Sequence, residues 1–133
     1  VKVVPEPGPG LDSDQGKGFF NVMRIARAAR YTARGFRHAL ANDTSFRQEF
    51  VGALILAPIG IWLAANGVEC ALLMLPLLLV LLVELLNGAV ETVVDRIGTE
   101  HNELSGRAKD LASAAVFVTL VSVPVIWGLV LLG

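Results

Sequence analysis

The sequence is short of charge in two places. From Phe50 to Val68, and again from Leu111 to Gly133, there is no Asp, Glu, Lys, Arg or His. A bilayer-spanning helix needs about 20 apolar residues, and two runs near that length exclude an ordinary soluble fold. Charged residues are only 17% of the chain and hydrophobic ones 54%, against about 25% and about 45–50% in a soluble domain. Cysteine is nearly absent. Cys70 stands alone, which excludes an internal disulfide framework and any multi-cysteine metal site. Inside an apolar run it reads as a small packing side chain. A net charge of −1 gives no electrostatic case for a nucleic-acid partner. Also missing are the G-x-x-x-x-G-K-[ST] phosphate loop and the glycine loop, HRD and DFG of protein kinases. His38 and His101 are isolated, with no His-rich metal spacing. A nucleotide, if used, is held outside the familiar soluble folds.

Residues 1–18 are rich in Pro, Gly and Asp and too poor in apolar side chains to pack, so they are expected to be disordered. No apolar core of about 7–15 residues follows a basic start, and a signal peptide is not expected there. The first residue is Val rather than Met, as in a processed or joined end. Residues 19–133 read as a single membrane-embedded domain. It opens with a surface helix over 19–42, where Val22, Ile25, Ala29, Thr32, Phe36, Ala39 and Leu40 form one stripe at a period of 3.6. Arg24, Arg27, Arg30, Arg34 and Arg37 fall on the other side. An arginine face opposite an apolar face describes a helix lying in the membrane interface.

Three spans follow, at about 49–65, 70–94 and 108–132. Pro58, Gly60 and Pro124 sit inside two of them, which membrane helices tolerate. Asn66-Gly67 marks a turn, and a polar loop runs from Arg96 to Arg107. The expected fold is therefore an all-α membrane protein with three transmembrane helices and an N-terminal amphipathic interfacial helix. Six arginines precede the first span, and Arg96, Arg107 and Lys109 flank the second loop, whereas the 66–69 turn and the C-terminus have no basic residue. The positive-inside rule puts the N-terminus and the 96–107 loop in the cytoplasm and Gly133 outside. No internal repeat supports the inverted-repeat architecture of transporters.

The second span carries the chemistry. In VELLNGAVETVVDRIG, Glu84, Asn87, Glu91 and Asp95 fall at i, i+3, i+7 and i+11. They share one helix face and climb about 16 Å from the hydrocarbon to the surface. A charged group in mid-membrane costs about 2.5–3.5 kcal/mol even on the mildest scale. A polar clamp between helices needs only one Asn or Ser, so two glutamates on one face point to function. These are hard oxygen ligands, which suit Mg²⁺ and not Zn²⁺. Deep Glu84 is placed to accept a proton from a hydroxyl, and shallower Glu91 to hold metal. Asp95, at the rim, reads equally as a solvated helix end. Arg107, Lys109 and Asp110 cluster near the start of the third span, where basic side chains and helix N–H groups can bind phosphate oxygens. Gly106 suits a tight turn or a close approach by phosphate.

The segments ELLNGAVETVVDRIG and ELSGRAKDLASAAV resemble the prokaryotic diacylglycerol kinase family of small membrane enzymes, and NDTSFRQE (Asn42 to Glu49) is similar to its first cytoplasmic motif. The pattern E-x-x-N-x-x-x-E-x-x-x-D, followed about fourteen residues later by Lys-Asp, is specific, and the similarity runs from about Phe19 to Leu132. The resemblance implies a homotrimer in a bacterial inner membrane, with the C-terminus periplasmic. It implies transfer of the ATP γ-phosphate to the primary hydroxyl of diacylglycerol, at sites completed by a neighbouring protomer. By motif, Glu84 matches the catalytic base and Glu91 a metal-binding glutamate that orients Mg-ATP. Asp43 stands where the family usually has a second metal-binding glutamate. Arg24, Tyr31, Glu100, His101, Asn102, Lys109 and Asp110 match nucleotide-contacting positions. Arg37, Ser45, Gln48, Glu49 and Ser113 match positions near the lipid. A sister branch phosphorylates undecaprenol, and DRIGTEHNELSGRAKD is closer to the diacylglycerol type. A proton-coupled transporter would share the buried carboxylates but leaves Asp43, the RAKD motif and the arginine face unexplained.

Overall fold

The computed structural model describes residues 22–133. Residues 1–18, expected to be disordered, and 19–21, expected to begin the surface helix, lie outside the described residues. Helices follow in the order α1 (Val22–Asn42), α2 (Thr44–Leu63), α3 (Gly67–Ile97) and α4 (Glu103–Leu132), with no strand among the described residues. The last three are long and apolar enough to cross a membrane. The described residues up to Gly35 form one compact unit and Phe36–Gly133 another.

In the first unit α1 is strongly amphipathic and has no buried residue. Val22 and Ile25 on its apolar stripe are exposed. An apolar stripe exposed at Val22 and Ile25 and opposite arginines is what a helix in the membrane interface presents.

In the second unit α3 is central and packs on both α2 and α4. Its packing seam is legible residue by residue. Leu73, Leu77, Val80, Glu84, Asn87, Glu91 and Val94 are spaced alternately four and three apart. That spacing keeps one row facing the neighbouring helices. Leu73, Leu77, Val80, Glu84 and Val94 of this row are buried. The end of α1 is tied to α2 by rings, with Phe36 and Phe46 centroids 6.2 Å apart and Phe46 and Phe50 6.0 Å apart. Phe46 is completely buried. On the far half of the bundle Gly60 lets α2 come close. A Cβ there would lie 2.6 Å from Met74 Cε and 3.1 Å from the Trp127 ring. Trp127 Nε1 donates to the Leu73 carbonyl at 3.0 Å, one turn before Pro76, so α4 is pinned to α3 where proline interrupts the helical ladder.

The α2–α3 turn supplies its own hydrogen-bond partners. Asn66 Oδ1 accepts from the N–H groups of Val68 and Glu69, while Glu69 Oε2 accepts from Ala65 N–H. This is a reciprocal cap closed between Asn66 and Glu69.

The observed boundaries correct the expected ones. α2 begins at Thr44 rather than about 49, α3 runs past both ends of 70–94, and α4 begins at Glu103 rather than about 108. The polar loop shrinks from 96–107 to 98–102. Backbone hydrogen bonding continues past the end of the apolar stretch, so polar flanks such as SFRQE and ELSGRAK are helical turns. Gly106 accordingly lies inside α4 and makes no turn.

Candidate active site

The site grows from the seam of α3. Glu84 is only 3% exposed, and its Oε2 has no hydrogen-bond partner. One turn on, Asn87 donates from Nδ2 to Glu91 Oε1 at 3.4 Å, while its own Oδ1 is buried and unpartnered. Glu91 is exposed. The row therefore grades from an enclosed carboxylate, through an amide, to an accessible carboxylate.

Asp43 joins this row from the start of α2. It is the N-cap, accepting the Phe46 N–H on Oδ1 at 3.1 Å. Its other oxygen is left facing α3, where an added Cβ on Gly88 would lie 3.6 Å from Oδ2. Gly88 falls between Glu84 and Glu91, so Asp43 Oδ2 lies close to the α3 backbone alongside the acidic row. Glu49, one turn beyond Phe46, is half-buried. The charges of Asp43, Glu49 and Glu91 all act on Glu84. Glu49 is also the one charged residue lining a half-open groove of about 190 Å³ between α2, α3 and α4, whose walls include Gly52, Leu56, Leu77, Val80 and Pro124.

At the other end of the row Lys109 Nζ lies 2.7 Å from Asp95 Oδ1, with both side chains about half exposed. Lys109 is in the second turn of α4, not at its start. The N–H groups of Leu104 and Ser105 are already taken by the N-cap Asn102, at 2.9 and 3.2 Å. Two of the helix N–H groups near the expected anion site are therefore engaged by the cap.

The structure brings together Asp43, Glu49, Glu84, Asn87 and Glu91, and separately Asp95 with Lys109, whose ammonium also feels Glu91. Glu100, His101 and Asn102 lie exposed on the α3–α4 connection and Asp110 beside Lys109. Arg37, Ser45, Gln48 and Ser113 are exposed. Arg24 and Tyr31 lie on α1 in the separate first unit. Sequence reasoning missed Gly88, Phe46 and the capping role of Asp43. The signal was present in N-D-T-S before an apolar helix and in a glycine midway between two glutamates.

Among the described residues no three His, Cys, Asp or Glu side chains converge closely enough to hold a metal ion unaided. The fit to Mg²⁺ is of a different kind. That ion keeps several waters and is commonly bound by one or two carboxylates plus substrate phosphates. Asp43 Oδ2 and exposed Glu91 meet this description, and both are hard oxygen donors.

A model of the prokaryotic diacylglycerol kinase family matches residues 30–131. The chain belongs to that family. It is 48% identical to a diacylglycerol kinase of Haemophilus influenzae over 107 residues, covering 80% of this chain and 91% of the relative. It is 45% identical to one of Escherichia coli over 108 residues, covering 81% and 88%. A Pseudomonas aeruginosa diacylglycerol kinase is 41% identical over 117 residues, covering 88% and 95%. The acidic row, Asp43 and the Lys109-Asp110 pair all lie within the family match.

Proposed function

We propose that the protein transfers the γ-phosphate of ATP to the primary hydroxyl of diacylglycerol, giving phosphatidic acid and ADP, with Mg²⁺ as the nucleotide's counter-ion. One observation carries this reading: in a chain of this family, a carboxylate with an unpartnered oxygen is enclosed on a membrane-spanning helix beside three further carboxylates. Glu84 takes the hydroxyl proton as that oxygen bonds to the γ-phosphorus and the bond to ADP breaks. A proton acceptor sunk in an apolar seam suits a hydroxyl delivered from within the bilayer. Glu91 and Asp43 hold Mg²⁺, which neutralises phosphate charge when bound. Lys109 adds a positive charge, with Arg24, Tyr31, Glu100, His101, Asn102 and Asp110 as further nucleotide contacts. Arg37, Ser45, Gln48, Glu49 and Ser113 face the lipid. Asn87 orients Glu91 through its amide. Catalysis is then positioning plus electrostatics, with no covalent phosphoenzyme.

The same proposal places the protein in a bacterial inner membrane, N-terminus and α3–α4 connection cytoplasmic, as a homotrimer with shared sites.

The test is phosphorylation in mixed micelles with labelled ATP, offering diacylglycerol and undecaprenol separately, with and without Mg²⁺. Label in phosphatidic acid that depends on Mg²⁺ is expected. Label in undecaprenyl phosphate alone reassigns the substrate, and no lipid-dependent ATP turnover refutes the kinase reading.

A further inference from the structure

The contact between Asp95 and Lys109 is short, joins two helices, and has no obvious structural purpose. At 2.7 Å it is an ideal charge-assisted hydrogen bond. Both side chains are about half exposed, and exposed ion pairs of this kind add little to stability. The α3–α4 pair is already held by packing along the seam and by Trp127. What the contact does alter is the freedom of the lysine. A free lysine side chain samples many rotamers around four flexible bonds, and fixing it at a ligand forfeits that freedom. Here the ammonium is fixed beforehand, above the row that contains Glu91, one turn from Asp95 on α3. An ammonium has three donors. Asp95 accepts one and leaves two for another acceptor.

We infer that Asp95 is a positioning residue: it holds Lys109 in the place and orientation where the ammonium meets nucleotide phosphate. This rests on the reading above in which Lys109 contacts nucleotide. Asp95 itself touches no substrate. It acts through the lysine, by preorganisation. The carboxylate is single and half solvated, so an incoming polyphosphate of higher charge shares the ammonium rather than being excluded by it.

The experiment compares Asp95→Asn, Asp95→Glu, Lys109→Met and the double variant Asp95→Asn/Lys109→Met in the purified full chain. Steady-state titrations of ATP and diacylglycerol are paired with equilibrium binding of a non-hydrolysable ATP analogue. Circular dichroism on every variant establishes helix content. Asp95→Asn is expected to raise the ATP KM and weaken analogue binding by about tenfold, with the diacylglycerol KM unmoved and kcat within about twofold. Asp95→Glu should recover most of the loss. With Lys109→Met already present, Asp95→Asn should add less than about twofold, because its effect passes through the lysine.

Asp95→Asn weakening nucleotide binding equally with and without Lys109 overturns the inference, as does a normal ATP KM in Asp95→Asn when Lys109→Met has a raised one. An unchanged ATP KM in Lys109→Met removes the lysine from the nucleotide site and the inference with it. In that case the kinase reading is judged separately, by whether lipid phosphorylation persists. If Asp95→Asn loses helix, the contact is structural, and Asp95→Glu with normal helix and a tenfold raised ATP KM also counts against the inference.

Discussion

Replacing Glu84 by Gln should separate activity from stability, and in opposite directions. Glutamine keeps the volume of the side chain in a seam where only 3% of Glu84 is exposed, so packing is conserved. It removes the proton acceptor. Loss of a general base is worth about 10²–10⁴-fold in rate, or about 2.7–5.4 kcal/mol of transition-state stabilisation. Two terms then act on stability. An amide nitrogen placed where Oε2 now has no partner leaves a buried donor unsatisfied, at about 1–3 kcal/mol. Against that, one charge leaves a cluster that includes Asp43, Glu49 and Glu91. At an effective dielectric near 20, a like charge about 10 Å away contributes about 1.7 kcal/mol of repulsion. Relief from several neighbours outweighs one unsatisfied donor. The variant should therefore unfold at the same or higher SDS mole fraction than the parent, followed by circular dichroism, while turnover in mixed micelles falls at least a hundredfold. Retention of more than a tenth of the parental rate would show that Glu84 is not the base. A variant both inactive and much less stable would show that the carboxylate is needed for the fold, and the argument from repulsion would be wrong.

Asp43 has two oxygens with different tasks, and Asp43→Asn should divide them. Asparagine caps a helix as well as aspartate and takes one like charge from the cluster around Glu84, so the variant should be at least as stable as the parent while the Mg²⁺ and ATP requirements rise together. Asp43→Ala should show the same kinetic loss plus about 0.5–2 kcal/mol of destabilisation from the lost cap. Equal stability of the two variants in chemical unfolding would remove the cap argument. Gly60→Leu forces a side chain against Met74 and Trp127 and should destabilise by about 1–3 kcal/mol. Because Gly60 lies far along α2 from Asp43, the ATP KM should not move, and a large change in that constant would contradict the division between the two ends of the bundle.

Composition and spacing made the three long helices and the row Glu84–Asn87–Glu91–Asp95 readable, because hydropathy reports where lipid can be and periodicity reports which residues share a face. The ends of the helices were less readable. Arg47, Glu49, Arg107 and Lys109 mark where the apolar zone stops, but a helix is held by its backbone and continues for a turn or more into polar surroundings. That is why Thr44–Gln48 and Glu103–Arg107 are helical. The approach of Asp43 to Gly88 was not readable either, since it depends on how α2 packs against α3. The resemblance supplied Asp43 as a site residue, while the geometry adds that its other oxygen caps α2. The 4-3 spacing from Leu73 to Val94 also explains why Glu84 is enclosed: it occupies a packing position in line with Leu73, Leu77 and Val80 before it and Val94 beyond it.

The reciprocal cap between Asn66 and Glu69 bears on how such a chain enters a bilayer at all. Of the two connections between the spanning helices, one has to be carried through the hydrocarbon during biogenesis. An amide N–H dragged there without a partner costs several kcal/mol. In the Ala64–Asn66 turn the Ala64 N–H reaches the Gly60 carbonyl, Ala65 reaches Glu69, and the N–H groups of Val68, Glu69 and Cys70 reach Asn66. One carboxylate, itself engaged by Ala65, is the only ionic group there. The α3–α4 connection, by contrast, carries Glu100 and Glu103 with Arg96, Arg107 and Lys109 close by. A hairpin tip with a single charge and most of its N–H groups engaged is thus the cheaper of the two connections to carry through the hydrocarbon.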